Sequence, residues 1–502
     1  MAETTAGPAP QGASAGAQSY GTPAYRGYVL LLLTLVYTLN FIDRNLLSVI
    51  AQPVIEAFNL SDSEYGFLNG PPFAIFYALM GIPIAAMADR YNRVVIIALC
   101  IAIWSVMAAL CGLATSFMFL LIARIGVAIG EAGCTPPANS LIGDYFKPQS
   151  RANALGIYAM GVTVGGALAN AFGGPIATQL HGDSMSAWLQ SAGLASLFAG
   201  IDWANVDGWR IAFIVIGAPG VLIALIVLLT VKEPPRGFSD PPGMERAQKS
   251  SLLETLRELS KKPTFWTMAM GAALTALVGY GLAGFQAPMA QRVHGIDPGT
   301  FALQFGVPLA LFAAGGTFLG GFLTEKLTPR FSTAVSWIPA LGLLLCVPLY
   351  EIAYFMPTEQ IETARWIWCV GATLHYMYLG SQYTIGQGVV STRSRAAAIA
   401  ILLLTIALIG NGLGPQIVGW LSDMFMSSQL ASLDPSGMLT NDICRAREAV
   451  AQLPEAQQAI CRTAYGEGLR HSMAATALIF IPAAAFFLLS ALTLKKDMVA
   501  KH

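Results

Sequence analysis

The sequence predicts an all-α membrane protein with twelve transmembrane helices arranged as two six-helix pseudo-repeats. Of the 502 residues, 55% are hydrophobic and only 11% are charged, which disfavours a water-soluble enzyme, a disordered protein and a nucleic-acid binder. Apolar runs of about 20 residues, the length that crosses a bilayer, recur along the chain. Landmarks of the first half also return in the second half at a nearly constant offset.

The charge distribution decides how many spans there are. A further uncharged stretch, 184–201, is rich in Ser, Ala and Gly, and counting it as a span would reverse every later loop. With twelve spans and both termini cytoplasmic, nineteen Lys and Arg residues fall inside and seven outside, as the positive-inside rule requires. We therefore place 184–201 on the outer surface. The predicted spans lie near 27–51, 65–88, 94–115, 117–141, 152–179, 210–231, 264–290, 300–324, 332–355, 365–388, 396–422 and 470–494.

Polar segments divide the chain into domains. We expect a disordered cytoplasmic tail over 1–26, the N-terminal bundle over 27–231, the C-terminal bundle over 264–494 and a second tail over 495–502. The cytoplasmic linker 232–263 contains leucines at helical spacing, which predict a short amphipathic helix against the membrane or the bundle. These leucines are Leu252, Leu253, Leu256 and Leu259.

The predicted outer segment 423–469 is long and polar, and it contains Cys444 and Cys461. These two cysteines could form a disulfide in an oxidising periplasm. The sequence alone cannot set the distance between them, so both states stay open.

The two halves share landmarks that identify them as repeats. The acid after span 2 is Asp89, and its counterpart after span 8 is Glu325, 236 residues later. Gly174-Pro175 of span 5 corresponds to Gly414-Pro415 of span 11, 240 residues later. Two six-span halves related as repeats explain both offsets.

The charged loop after span 2 predicts a cytoplasmic gate. Its pattern Asp89-Arg90-x-x-Arg93 resembles the signature loop of the major facilitator superfamily, with a weaker counterpart at Glu325. We expect Asp89 to face the N-terminus of span 11, where the helix dipole is positive. The alternative is a loop whose charges only set the topology. The predicted gate comprises Asp89, Arg90, Arg93, Asp144, Arg151 and Glu325.

Two pairs of charged residues lie inside spans of the N-terminal half. Asp43 and Arg44 are about 16 residues into span 1, where a charge costs at least ~2.5–3.5 kcal/mol. Asn40 lies on nearly the same helix face. Arg124 and Glu131 are seven residues apart in span 4 and share a face. We expect Asp43 and Glu131 to couple protons and Arg44, Arg124 and Asn40 to bind substrate; the alternative is a structural ion pair.

These motifs resemble one branch of the superfamily in particular. The stretch Arg-Ile-Gly-Val-Ala-Ile-Gly-Glu that begins at Arg124, together with the pair Asp43-Arg44, is similar to Spinster proteins, specifically to a bacterial homologue. The resemblance implies the major facilitator fold, alternating access and proton coupling. It also implies lysophospholipids, sphingosine phosphate or related amphiphiles as substrates.

Polar and aromatic residues of the C-terminal half predict an amphiphilic wall for such a substrate. For a lone histidine among aromatic rings, packing with one satisfied hydrogen bond is the alternative. The glycine-rich stretches 161–174 and 410–419 predict close helix approach rather than phosphate binding. The predicted wall comprises Phe285, Gln286, His375, Tyr376 and Tyr383.

Other functions remain as alternatives. The same mechanism with small organic anions as cargo is the nearest one, and a channel or a membrane-embedded enzyme is less favoured. The sequence contains no phosphate-binding loop, zinc-protease motif or nucleophile elbow. We expect no metal and no cofactor, with the proton gradient as energy source, and a monomer in a bacterial inner membrane.

Overall fold

The described part of the chain is helical and has no strand. The computed structural model describes residues 19–180, 182–193, 196, 206–239, 252–391 and 393–499. Eleven helices there are long and apolar enough to cross a membrane. A twelfth span is built from two consecutive helices, Ile361–Tyr376 and Tyr378–Gly388. The predicted all-α architecture with twelve spans is confirmed.

Four predicted segments fall partly outside the described residues: the N-terminal tail up to residue 18, the outer segment at 194–195 and 197–201, the linker over 240–251, and the C-terminal tail from residue 500. The described part of the outer segment forms the helix Gly182–Ser191, which packs through Met185 and Leu189. The other spans are Pro23–Val49, Asp62–Ala88, Arg93–Gly112, Phe117–Tyr145, Pro148–Gln179, Gly208–Thr230, Pro263–His294, Pro298–Leu327, Ala334–Phe355, Arg395–Leu433 and Glu455–Asp497.

The segment predicted as a long loop, 423–469, is largely helical. Span 11 continues to Leu433, and the helix of span 12 already begins at Glu455. Outside a bilayer a helix needs no apolar run, so hydropathy ends span 11 too early and begins span 12 too late. A small core that includes Met426 and Leu430 joins the two extensions. The structure also links Cys444 to Cys461 by a disulfide, with 4.8 Å between their Cα atoms.

The two ends of the bundle differ in what they carry. We call the end with residues 19–22, the linker helix Leu252–Leu259 and residues 498–499 the terminal face, and the end with residues 434–454 the loop face. Four spans that contact the other half are each interrupted once. Spans 5 and 11 contain π-helical turns at Ala169–Gly173 and Ala407–Gly412. Span 2 breaks at Gly70, and span 8 has a π-helical turn at Ala302–Gly306.

The halves meet near the loop face, where glycines permit backbone contact. A β-carbon at Gly66 of span 2 would overlap the carbonyl oxygen of Pro415 in span 11. A β-carbon at Gly174 of span 5 would overlap the side chain of Ala302 in span 8. Closer to the terminal face, β-carbons at Gly81, Gly156 and Gly321 would meet nothing within 4 Å. The halves are therefore in contact near the loop face, whereas a side chain at any of these three glycines would meet open space.

Candidate functional site

A buried ion pair joins spans 1 and 4 inside the N-terminal half. Nε and Nη2 of Arg44 donate to Oε2 of Glu131 at 3.0 and 2.7 Å. The side chain of Glu131 is fully buried, and that of Arg44 is 15% exposed. The structure thus brings together two residues that the sequence separates by 87 positions.

Aromatic rings surround the Arg44 guanidinium. Its central carbon lies 4.8 Å from the ring centroids of Phe41 and Tyr77, and 5.3 Å from that of Phe73. The Arg124 guanidinium lies 5.1 Å from the same Phe73 ring. Cation–π contacts are strongest when water is excluded, so these rings replace part of the hydration that both cations lose.

Asp43 and Arg124 complete the cluster without a close ion pair. Both side chains are buried, yet among the described residues neither has an oppositely charged atom within 4.0 Å. Asp43 interacts electrostatically with Arg124 and Glu131 and lies beside Trp104. Span 3 carries Trp104 and approaches span 4 closely because Gly130 has no side chain.

Several polar atoms of this cluster are buried without a hydrogen-bond partner. A buried donor or acceptor that lacks a partner costs about 1–3 kcal/mol, so such groups are rare in proteins and mark places where water or a ligand binds. Four of them occur here in neighbouring side chains. They are Asn40 Nδ2, Asp43 Oδ1, Arg124 Nε and Glu131 Oε1.

The predicted wall of the C-terminal half is only partly assembled. Tyr376 is half-buried and Tyr383 is 38% exposed, whereas His375 is buried among aromatic rings. The hydroxyl of Tyr350 lies 3.5 Å from Nδ1 of His375, and the ring of Phe480 packs 4.7 Å away. This environment favours the packing alternative for His375.

Phe285 does not line an open wall, which corrects its predicted placement. The side chain is fully buried, and its ring makes an edge contact with Tyr65 of span 2, 5.2 Å between centroids. Tyr65 also donates to the carbonyl oxygen of Gly284 at 3.2 Å, so this part of span 7 packs against the other half. Gln286, the next residue, is half-buried.

Sequence reasoning missed Tyr280 of span 7. Its side chain is 40% exposed, and it interacts electrostatically with Arg44 of the other half and with Tyr376 of its own half. Tyr280 therefore connects the charged cluster to the tyrosines of span 10. An isolated tyrosine in an apolar run gives no sequence signal for this position.

A second buried ion pair, also missed, crosses between the halves near the loop face. Arg292 of span 7 donates to both carboxylate oxygens of Asp62 in span 2, at 2.7 and 2.8 Å. Ser422 of span 11 donates to Asp62 at 2.6 Å, and Gln52 accepts from Arg292 at 2.8 Å. The Tyr465 ring lies 3.7 Å from the Arg292 guanidinium. From sequence, both charges looked like solvated residues at span ends.

The predicted gate residues separate into two groups at the terminal face. Arg93 is buried and donates to Asp144 at 2.5 Å and to Glu233, at the start of the linker, at 2.7 Å. Arg151 donates to the carbonyl oxygen of Gly143 at 2.6 Å. Asp89, Arg90 and Glu325 are exposed.

This arrangement corrects the predicted latch. Arg93 and Asp144 belong to the N-terminal half and Glu233 lies at the start of the linker, so these contacts fix the linker to one half and do not join the two halves. Among the described residues Asp89 has no ion pair, so its contact with span 11 stays a prediction for a different conformation. Within the same residues, no group of His, Cys, Asp and Glu side chains is placed to hold a metal ion.

Comparison with known proteins identifies the family. A model of the Major Facilitator Superfamily matches residues 33–424. The chain belongs to this superfamily. Within it, the chain resembles the solved structure of a bacterial homologue of the human lysosomal transporter Spinster, described as inward-facing and unoccupied, with 52% identity and a TM-score of 0.90. That match covers 96% of this chain and 100% of the other, and the Spinster assignment is confirmed.

Two further relatives place this superfamily member among transporters. An MFS-type efflux pump of Mycolicibacterium smegmatis is 30% identical over 78% of this chain and 83% of its own. Protein spinster homolog 1 of Homo sapiens is 26% identical over 80% of this chain and 74% of its own. The protein is a multi-pass membrane transporter that works by alternating access, and it is not an enzyme.

Proposed function

We propose that the protein is a proton-coupled secondary transporter of an amphiphilic anion, such as a lysolipid or a sphingosine-phosphate-like molecule. The observation that carries the proposal is the buried cluster of Asp43, Arg44, Arg124 and Glu131, in which two acids balance two cations and several polar atoms lack partners. A cluster of this kind gains a proton or an anion at less cost than a fully paired one.

The Arg44–Glu131 pair suggests how protons and substrate are coupled. While Glu131 is ionised, it occupies Nε and Nη2 of Arg44. Protonation of Glu131 removes the negative partner and leaves the Arg44 guanidinium for an anionic headgroup. Release of that proton restores the ion pair and displaces the anion. Asp43 and Arg124 would take part in the same exchange, with Asp43 binding a proton and Arg124 binding the anion.

An amphiphilic cargo fits the rings around this cluster. Phe41, Phe73 and Tyr77 surround Arg44. Tyr280 interacts electrostatically with both Arg44 and Tyr376. A headgroup at Arg44 would place an attached chain along these aromatic side chains. Two arginines alone would also suit a small organic anion, which is the second candidate.

Alternating access in this protein would use the contacts between the halves. The Arg292–Asp62 pair and the contact at Gly66 hold the loop face closed, so we infer that substrate exchanges at the terminal face in this state. The excess of basic residues there supports a cytoplasmic terminal face, in a bacterial inner membrane. We expect a single chain to suffice for transport.

Uptake into proteoliposomes tests the proposal. We expect saturable uptake of a radiolabelled lysophospholipid that rises with an imposed pH gradient and is competed by unlabelled lysolipid. Competition by a dicarboxylate but not by lysolipid would identify small organic anions as the substrates instead. Uptake that neither saturates nor responds to the gradient would contradict both candidates.

A further inference from the structure

The linker helix Leu252–Leu259 has an apolar face that no part of the described protein covers. Thr255 and Leu259 are buried against the bundle. Three leucines point away from it, and a helical turn of 3.6 residues places them within one arc of about 100°. They are Leu252, Leu253 and Leu256, which are 50%, 72% and 40% exposed.

The opposite side of the helix is fixed to the start of span 11. Glu258 accepts from the backbone amide of Ser391 at 2.7 Å and from the hydroxyl of Ser394 at 2.5 Å. The hydroxyl of Ser391 donates to the same carboxylate at 3.2 Å. Because Arg395 begins span 11, the helix is attached to the turn that enters a span in contact with the other half.

Trp266 indicates the depth of this helix relative to the membrane. It lies in the first turn of span 7, is 40% exposed, and donates through Nε1 to the carbonyl oxygen of Leu259 at 3.1 Å. Tryptophan is enriched at the boundary between acyl chains and headgroups. The helix therefore sits at headgroup level, where its exposed leucines can reach the acyl chains.

Basic side chains lie at the same level. Arg257 and Lys261 flank the leucines and are exposed, as are Lys495 and Lys496 at the end of span 12. Lys262 donates to the carbonyl oxygen of Asp497 at 2.8 Å, which brings the two basic segments together. Each basic residue near an anionic bilayer surface contributes about 1 kcal/mol of attraction, which is about fivefold in affinity.

We propose that this helix is an interfacial anchor that binds anionic phospholipid in the leaflet at the terminal face. Leu252, Leu253 and Leu256 insert at the boundary between headgroups and acyl chains, while Arg257 and Lys261 bind lipid phosphates. Through Glu258, lipid bound here holds the turn before span 11. Anionic lipid thereby acts on span 11 from outside the transport site.

A fluorescent label on the full-length protein tests the location. Leu253→Cys carries an environment-sensitive dye, and the protein is placed in phosphatidylcholine nanodiscs with increasing phosphatidylglycerol. We expect the emission to shift to the blue as phosphatidylglycerol rises, with quenching by lipids that carry a spin label near the headgroup and little quenching by aqueous iodide. Strong iodide quenching at every composition would overturn the proposal.

Two double variants that each remove two basic residues provide a test and its matched control. In the labelled protein, the double variant Arg257→Gln with Lys261→Gln should need more phosphatidylglycerol to reach half of the full emission shift. The increase should be about fivefold for each charge removed, or the shift should be lost altogether. Lys326→Gln with Arg330→Gln removes the same charge from another part of the terminal face and should leave the midpoint unchanged. Equal shifts in both double variants would show non-specific attraction and overturn the assignment to this helix.

Discussion

Arg292 of span 7 binds both carboxylate oxygens of Asp62 in span 2, and the two side chains are only 3% and 1% exposed. The pair lies between the halves of the transporter, close to the loop face. Removal of one member of a buried ion pair leaves an uncompensated charge, whereas removal of both does not. The closed loop face should therefore depend on both residues together.

We expect Arg292→Ala or Asp62→Ala to destabilise the closed loop face by about 3–5 kcal/mol, and Asp62→Asn with Arg292→Gln to recover much of this. Spin labels at the exposed residues Ala57 and Ser428 report the distance between the halves. Each single variant should gain a longer-distance population that the double variant loses. Identical distance distributions in all variants would contradict this role.

The glycine contact between spans 2 and 11 gives a second prediction with an internal control. Gly66→Ala places a methyl group on the carbonyl oxygen of Pro415, and such overpacking costs about 1–3 kcal/mol. Gly81→Ala, in the same span, meets nothing within 4 Å and should be neutral or slightly stabilising. The distance between spin labels at Ala57 and Ser428 should lengthen in Gly66→Ala only. Equal behaviour of the two would show that the contact does not hold the loop face closed.

The disulfide at the loop face should stabilise the contact between the halves. Arg445 follows Cys444 and lies 3.3 Å from Asp423, whose other oxygen accepts from the amide of Ser63 at 2.9 Å. Closing a chain loop of about this size contributes about 3 kcal/mol. Reductant should therefore speed hydrogen exchange in 441–461 and around Ser63, and Cys444→Ser with Cys461→Ser should show the fast rate with or without reductant. A reductant response that persists in the double variant would have another origin.

The attachment of the linker helix should depend on pH. Partial burial raises the pKa of Glu258, but hydrogen bonds from Ser394 and Ser391 outweigh it and hold the pKa below its usual value. A lowered pKa in the folded state means that the contact stabilises at neutral pH and is lost as the pH falls below the ordinary pKa of a glutamate. Hydrogen exchange in 252–259, corrected for intrinsic rates, should rise at that pH. Glu258→Gln should remove the pH dependence; an unchanged profile in this variant would contradict the assignment.

Much of the fold could be predicted from the sequence because burial in lipid leaves long apolar runs. The same reasoning failed at spans 11 and 12, since helices that extend beyond the bilayer need no apolar run and Glu455 begins one of them. Charges deep in a span, such as Asp43 and Glu131, were found because hydrocarbon makes them costly.

The sequence could not predict which charged residues of different spans form ion pairs. Asp43 and Arg44 are adjacent, but Arg44 pairs with Glu131 of another span. Arg292 and Asp62 lie at span ends, where charges are common, so nothing marked them as partners. Adjacent residues point in different directions on a helix, and only the packing of helices decides which charges meet.

If the buried cluster couples protons to transport, its acids should be needed for uptake driven by a pH gradient but not for exchange. Proteoliposomes are assayed for lysolipid uptake driven by a pH gradient and for substrate exchange without a gradient. We expect Asp43→Asn and Glu131→Gln to lose the response to the gradient while exchange continues, whereas Glu359→Gln, at an exposed loop-face acid, behaves like the wild type. Full pH-driven uptake by both cluster variants would contradict the account.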